Sequence, residues 1–436
     1  MKPASYQIEA SQFMYERDHS MLFARMGTGK TLTYLLAAED WRKGGAAKRV
    51  MVVAPRRVVH NVWQQERDKW GINLTIAKAT GDMDRNDVIA NIRSRSDLLC
   101  VNYEMYQKFL TEDHGCDAVI FDELSLLRNP SGKRQKAARH SGFPIATGGT
   151  GTPAPNGLTS LFGMSRAVGL DLFGRNHDKF LREYFYPLDR DQRKWQAFAD
   201  TPDRLAEIIK PYTFVLEDIA VELPPIVRPP IEIELPPQLR ELYDRMRAES
   251  TLSDHDIVAG SEGVLRNKLR QIAMGFIYDN RGEPVDLNPW RLEIVRELVD
   301  QLNGQPVMVV YEFREQLAMM RRVWPELRWL GGDSKDDDKT IELWNAGKLD
   351  KLALHPASAG HGLNIQSGGN SIVWWSPIDD RELYEQTLAR LARRGQEAAQ
   401  VYSYEPCAAN TVDIAVRAAS HAKDRVQQGL WAALKR

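Results

Sequence analysis

A run of small residues ends in a lysine and a threonine, Ala24-Arg-Met-Gly-Thr-Gly-Lys-Thr31. The spacing is that of a phosphate-binding loop in its relaxed form, with Ala24 where the strict pattern has a glycine. Gly27 and Gly29, around Thr28, let backbone N–H groups approach phosphate oxygens, and a following helix adds its dipole. In this reading Lys30 meets the β- and γ-phosphates and the Thr31 hydroxyl ligates Mg²⁺. The plainer alternative is a Gly-rich turn capping a helix. Roughly ninety residues later, Val119-Ile-Phe-Asp-Glu-Leu-Ser125 is an apolar run ending in two acids. Asp122 is placed to hold Mg²⁺ and Glu123 to polarise an attacking water. Alone, the pair reads as solvated acids at a strand end; beside the loop it points to phosphoryl transfer. A third stretch, Gln386-Thr-Leu-Ala-Arg-Leu-Ala-Arg-Arg-Gly-Gln396, puts Gln386, Arg390 and Arg393 at i, i+4 and i+7 of an expected helix. Two arginines on one face match polyphosphate oxygens, so they are arginine-finger candidates. Their alternative is a solvated basic face.

The elements that must position these groups are legible as rhythm. Short apolar runs at 21–24, 50–54, 97–101, 118–121 and 143–147 alternate with amphipathic stretches such as 58–70. Strands alternating with helices imply βαβ units and a parallel sheet. The pattern returns at 306–310, 327–330, 351–355, 371–375 and 400–404, with helices expected over 314–324 and 382–394. The fold class predicted is therefore α/β with two parallel-sheet lobes, helical insertions and a C-terminal bracing helix. The boundaries expected are a first lobe over 1–157, helical insertions and a proline-rich linker over 158–289, a second lobe over 290–408, and the helix over 409–436. The linker is ELPPIVRPPIEIELPPQ, 222–238, whose six prolines read as an extended connector.

Composition narrows the class. The 436 residues are 43% hydrophobic and 27% charged, which excludes a largely disordered chain. The formal net charge is −1, so no global basic field favours nucleic acid, and any such contact must be local. Three scattered cysteines contain no C-x-x-C pair, which argues against a zinc module or a disulfide framework. The start shows no apolar signal segment, and no apolar run reaches the ~18–20 residues that span a bilayer. A cytoplasmic protein is expected, with no membrane partner.

In order along nearly the whole chain, these motifs resemble those of the SWI/SNF-type DNA translocases of helicase superfamily two. Tyr6-Gln7 resembles the adenine-reading glutamine segment. Residues 54–70, with Asn61-Val-Trp63, are similar to a strand-contacting segment, and 100–108 to the T-T-Y-E segment. Thr150-Gly-Thr-Pro153 resembles the coupling motif, followed by 269–276, 355–368 and the closing R-R-G-Q. Three departures stand out. The acid motif reads DELS rather than DEAH, 358–364 is shorter by one residue, and Ala392 stands where a histidine is frequent.

The resemblance implies two RecA-like lobes with ATP held between them and Mg²⁺ as cofactor. Gln7, Gly27, Thr28, Gly29, Lys30, Thr31, Gly362 and Gln386 would contact the nucleotide; Lys30, Asp122, Glu123, Arg390 and Arg393 would be catalytic. The basic stretch 128–140 carries five Lys and Arg residues and no acid, so Lys133 and Arg134 are read as phosphate contacts, with a solvated helix face as the alternative. Arg56, Asn102, Tyr103, Thr150 and Asn364 are nucleic-acid candidates by resemblance. His355 and His361 are read as structural, and Trp374 and Trp375 as core. The resemblance implies DNA as partner, preferentially duplex and read with little sequence preference, in replication, recombination or repair in the cytoplasm of a bacterial cell or a phage-infected host. A nuclease or replication protein is a further expected partner, and the chain is expected to be a monomer. The alternatives are an RNA helicase and an ATP-binding scaffold of a nuclease complex.

Overall fold

The computed structural model describes residues 2–110, 112–155, 157–192, 194–216, 223–252, 257–331, 334, 336–359, 363–393 and 395–435, without the side chains of 358–359 and 420–424. The chain divides into two compact units, Met1–Val221 with Lys423–Arg436, and Glu222–Ala422. Residues 158–221 fall in the first unit and 222–289 in the second. Each unit is built on a parallel sheet, the α/β class the rhythm of the chain predicts.

The first sheet contains β1 (His19–Ala24), β2 (Val50–Ala54), β3 (Ile76–Ala79), β4 (Leu98–Asn102), β5 (Ala118–Asp122), β6 (Ile145–Thr150) and, after a small hairpin of β7 (Phe185–Pro187) and β8 (Trp195–Ala197), β9 (Thr213–Leu216). Their order is β3-β4-β2-β5-β6-β1-β9. The strands are near-continuous apolar runs because both faces are covered. Alternate residues serve different cores: Met51 and Val53 pack on one face with Val119 and Phe121, while Val50, Val52 and Ala54 pack on the other with Ala118 and Ile120. The second face is covered by α1 (Ser5–Tyr15), α2 (Lys30–Lys43) and α3 (Trp63–Trp70). The first face is covered by α4 (Arg85–Ile92), α5 (Tyr103–Phe109), α6 (Lys133–His140) and α7 (Ser160–Ala167). The expected single helix over 58–70 begins instead with a π turn, Val58–Val62, before α3.

The second unit opens with β10 (Ile226–Val227) and β11 (Pro230–Ile233), which pair in parallel with β20 (Val401–Ala408). Within the proline-rich connector, residues 226–227 and 230–233 are thus extended and supply a sheet edge, where proline is tolerated, whereas its last residues, Pro237 and Gln238, begin the helix Pro237–Glu249. Two hairpins follow, β12 (Thr251–Leu252) with β13 (Ile257–Val258), and β14 (Phe276–Tyr278) with β15 (Pro284–Asp286). The remaining sheet strands are β16 (Val307–Val310), β17 (Arg328–Leu330), β18 (Lys351–Leu354) and β19 (Ser371–Trp374), in the order β10-β20-β19-β16-β18-β17. Trp374 and Trp375 are buried core residues. A fully buried ion pair, Arg291 to Asp413 at 2.6 Å, fixes the start of the helix Val412–Lys435, and Arg291 also donates to the carbonyls of Pro406 and Ala273. At that helix's other end Leu430, Trp431 and Leu434 belong to the core of the first unit, with Trp431 edge-on to Phe23. Among the described residues no helix is long and apolar enough to cross a membrane.

Candidate active site

Every strand of the first sheet runs the same way, so the loops after β1, β5 and β6 leave from one edge. β6 lies between the other two, with Asp122 opposite Gly149 and Phe23 opposite Thr150. Strand spacing of about 4.8 Å puts the ends of β5 and β1 about 10 Å apart. Lys30, both acids and Thr150 therefore share one sheet edge, where parallel α/β sheets hold ligands.

The loop itself depends on glycine at Gly27 and Gly29, both at φ 83° in the left-handed region. A Cβ at Gly29 would also lie 2.4 Å from Gln7 Nε2. Gln7 is buried, and its Nε2 faces the carbonyls of Thr28 and Gly29, each at 3.4 Å. Tyr6 Oη donates to the same Thr28 carbonyl at 3.2 Å, so α1 holds the loop through two side chains. Lys30 Nζ donates to the Ala24 carbonyl at 3.1 Å. Thr31 is half-buried in the first turn of α2.

Asp122 ends β5 and is buried. Burial pushes its carboxyl up to about 6; the Lys30 ammonium opposes that rise, Glu123 adds to it, and the Trp63 indole opposes it. Glu123 follows at φ 74°, a left-handed backbone that costs a side-chain-bearing residue about 1 kcal/mol. The surroundings hold it there. Thr150 Oγ1 and Ser125 Oγ donate to Glu123 Oε1 at 2.7 and 2.9 Å, and Tyr103 Oη donates to the Asp122 and Glu123 carbonyls at 3.1 and 3.2 Å. Beneath the acids, the buried Tyr34 of α2 packs so close to β6 that a Cβ at Gly149 would lie 2.0 Å from its hydroxyl. Burial, then the negative charges of Asp122 and Glu123, raise that phenol well above its ordinary value.

Several expected nucleic-acid contacts sit elsewhere. Thr150 and Tyr103 are buried, with their hydroxyls donating at the acid turn. Asn102 is also buried and donates to Glu104 at 2.6 Å. Arg134 has a compensating acid after all, from another element: it pairs with Glu104 of α5 at 2.5 Å. Arg56, Lys133 and Asn364 are exposed.

In the second unit the shared helical face does not form. The helix Arg381–Leu388 ends before Arg390, so Gln386 is helical and buried whereas both arginines lie on the following turn. They converge all the same: Arg390 and Arg393 donate to the Leu363 carbonyl at 3.4 and 3.2 Å. Gln396 secures the neighbouring loop through the Gln366 and Gly369 carbonyls, both at 2.9 Å. His355 faces the Glu312 carbonyl at 3.1 Å, in keeping with a structural role. Gly362 and His361 lie outside the described residues.

The family model for the SNF2-related domain matches residues 6–281, a span holding the loop, the acids and Thr150. The chain belongs to the SNF2-related family. Members of this family are ATP-hydrolysing helicases and translocases. A protein called p41 from Acyrthosiphon pisum secondary endosymbiont phage 1 is 28% identical over all of this SNF2-family chain and 99% of its own length. The CHD3-type chromatin-remodeling factor CHR7 of Arabidopsis thaliana is 21% identical over 90% of the chain, which spans only 34% of that factor. YwqA of Bacillus subtilis, described by name as an ATP-dependent helicase/translocase, is 21% identical over 85% of the chain, which spans 42% of it. The solved Sulfolobus solfataricus SWI2/SNF2 ATPase core in complex with dsDNA aligns over 99% of this chain and 95% of its own, at 19% identity and a TM-score of 0.46.

Ser125, in sequence only a departure from DEAH, is a hydroxyl donor to Glu123, and its place two residues after the acid is the signal for that role.

Proposed function

We propose that this protein is an ATP-driven translocase on duplex DNA, acting in the DNA metabolism of a phage or bacterial cell. The observation that carries the reading is the single sheet edge shared by the phosphate loop, Asp122 and the doubly hydrogen-bonded Glu123. In this reading Gly27, Thr28, Gly29 and Lys30 bind the triphosphate, and Gln7 takes the adenine. Glu123 orients water toward the γ-phosphate, and Arg390 and Arg393, with Gln386, stabilise the charge that develops there. Thr150 and Ser125 set the position of Glu123. Exposed Arg56, Lys133 and Asn364 are the proposed contacts to the DNA backbone, with Arg134 held in reserve by Glu104.

Thr31 and Asp122 fit Mg²⁺, because they offer hard oxygen donors and because Asp122 is a buried carboxylate whose charge is poorly offset. Bound there, Mg²⁺ would neutralise phosphate charge. The Asp122 value of about 6 gives a sign. A protonated carboxyl is a poor metal ligand, so Mg²⁺ affinity should be level above pH 7 and fall about ten-fold per unit well below 6. Mg²⁺ titrations of nucleotide binding between pH 5 and 8 check this, and a flat profile would remove Asp122 from the metal site.

Movement on duplex is tested by release of a third strand from a DNA triplex. The proposal expects ATP-dependent release without separation of the underlying duplex. Release that proceeds equally without ATP would refute it.

A further inference from the structure

We propose a second anion site in the first unit, at the edge of its sheet opposite the phosphate loop, built for a phosphomonoester or polyphosphate group. Lys48 and Arg49 immediately precede β2, Ser94 and Ser96 precede β4, and Gly115 precedes β5. These three strands are neighbours in the order β4-β2-β5. Their starts therefore lie a full strand length, about 16 Å for five residues, from the edge that carries Asp122. A cavity of about 610 Å³ opens there, within the size range of small-molecule sites.

Its lining is cationic. Arg49 forms the floor: it is 6% exposed and has no carboxylate partner among the described residues. Its guanidinium donates instead to the carbonyls of Ile92, His114 and Asn91 and to the Ser94 and Ser96 hydroxyls, at 2.5 to 3.0 Å. Its Nε is buried with no partner. The guanidinium thus caps the C-terminal end of α4, and its charge is met only by dipoles. Around the mouth stand Lys48, Arg93 and Arg95, whose side chains have no acidic partner among the described residues. That contrasts with Arg42, Arg134 and Arg166 of the same unit, each held by an acid. Asp113 is the acid in the lining, and the nearby Asp117 carboxylate is spent on the Lys48 and Arg49 backbone N–H groups. Four cations against one lining acid favour a ligand carrying two or more negative charges over a single phosphodiester. Burial and the Arg49 charge both disfavour protonation of His114, so the imidazole adds a neutral wall.

The probe is inorganic tripolyphosphate without metal, titrated calorimetrically into the full chain carrying Lys30→Ala, which disables the phosphate loop. Binding should persist, weaken steeply with salt, and fall about ten-fold or more when Arg93→Gln and Arg95→Gln are added. Both added positions are exposed, and an unchanged melting curve in the absence of anion confirms an intact fold. Competition by a 5′-phosphorylated but not a 5′-hydroxyl duplex would assign the site to nucleic-acid ends. Competition by neither would assign it to a free polyphosphate, and both results support the site. Absent binding in the Lys30→Ala chain, binding unaffected by the arginine changes, or equal competition by both duplexes would overturn it. None of these outcomes depends on turnover, so the translocase reading stands or falls separately.

Discussion

Replacing Glu123 with glutamine is expected to leave ATP bound and to slow its hydrolysis by about 10²–10⁴, the usual contribution of a positioned general base. The geometry sets this up. Glu123 occupies a left-handed backbone position and accepts two hydroxyl hydrogen bonds on one oxygen, leaving the other for water. Glutamine keeps the size and can still accept from Thr150 and Ser125, but carries no charge to polarise water. The loop contacts of Lys30 and Gln7 are untouched, so nucleotide affinity should change less than ten-fold. Single-turnover hydrolysis alongside nucleotide binding measures both quantities. A variant that hydrolyses ATP at the parent rate would remove Glu123 from the water-activating role.

The second large effect is expected at Arg393. An arginine finger contributes about 10³–10⁵ in related phosphoryl transfers, so Arg393→Ala should cut turnover by that order while changing ATP affinity little. Arg390→Ala should act in the same direction, since both guanidiniums converge on one carbonyl, that of Leu363. Lysine should rescue neither, because a point charge cannot reproduce the planar fork. Steady-state kinetics with kcat and KM resolved give the answer. Full turnover in Arg393→Ala would return this arginine to a loop-bracing role.

The strands that carry the acids and the loop were legible because a parallel sheet covered on both faces writes itself as apolar runs. VMVVA and AVIF each became a buried strand. β9 was not foreseen; it joins the sheet edge beside β1 after a long excursion, and only tertiary pairing defines it. The helix that periodicity predicts over 382–394 is longer than the one that forms, Arg381–Leu388, for a related reason. Periodicity continues through 390–393, but the backbone leaves the helix at Ala389 as the chain turns toward the loop at Leu363. Thr150 and Tyr103 are nucleic-acid candidates by resemblance, and nothing in their spacing says where their hydroxyls point. Only the fold shows that β6 abuts β5 and that both hydroxyls face the acid turn. The Arg134–Glu104 pair likewise joins residues thirty apart in sequence.

We propose that ATP hydrolysis is coupled to a grip on duplex DNA. Its most direct measurement is the ATPase rate of the full chain with no nucleic acid, single-stranded DNA, duplex DNA and RNA, each at low and moderate salt. The largest stimulation is expected with duplex DNA, declining steeply as salt rises, because a chain of net charge −1 must grip through local phosphate contacts. Stimulation by RNA alone, or a rate indifferent to every nucleic acid, would contradict it.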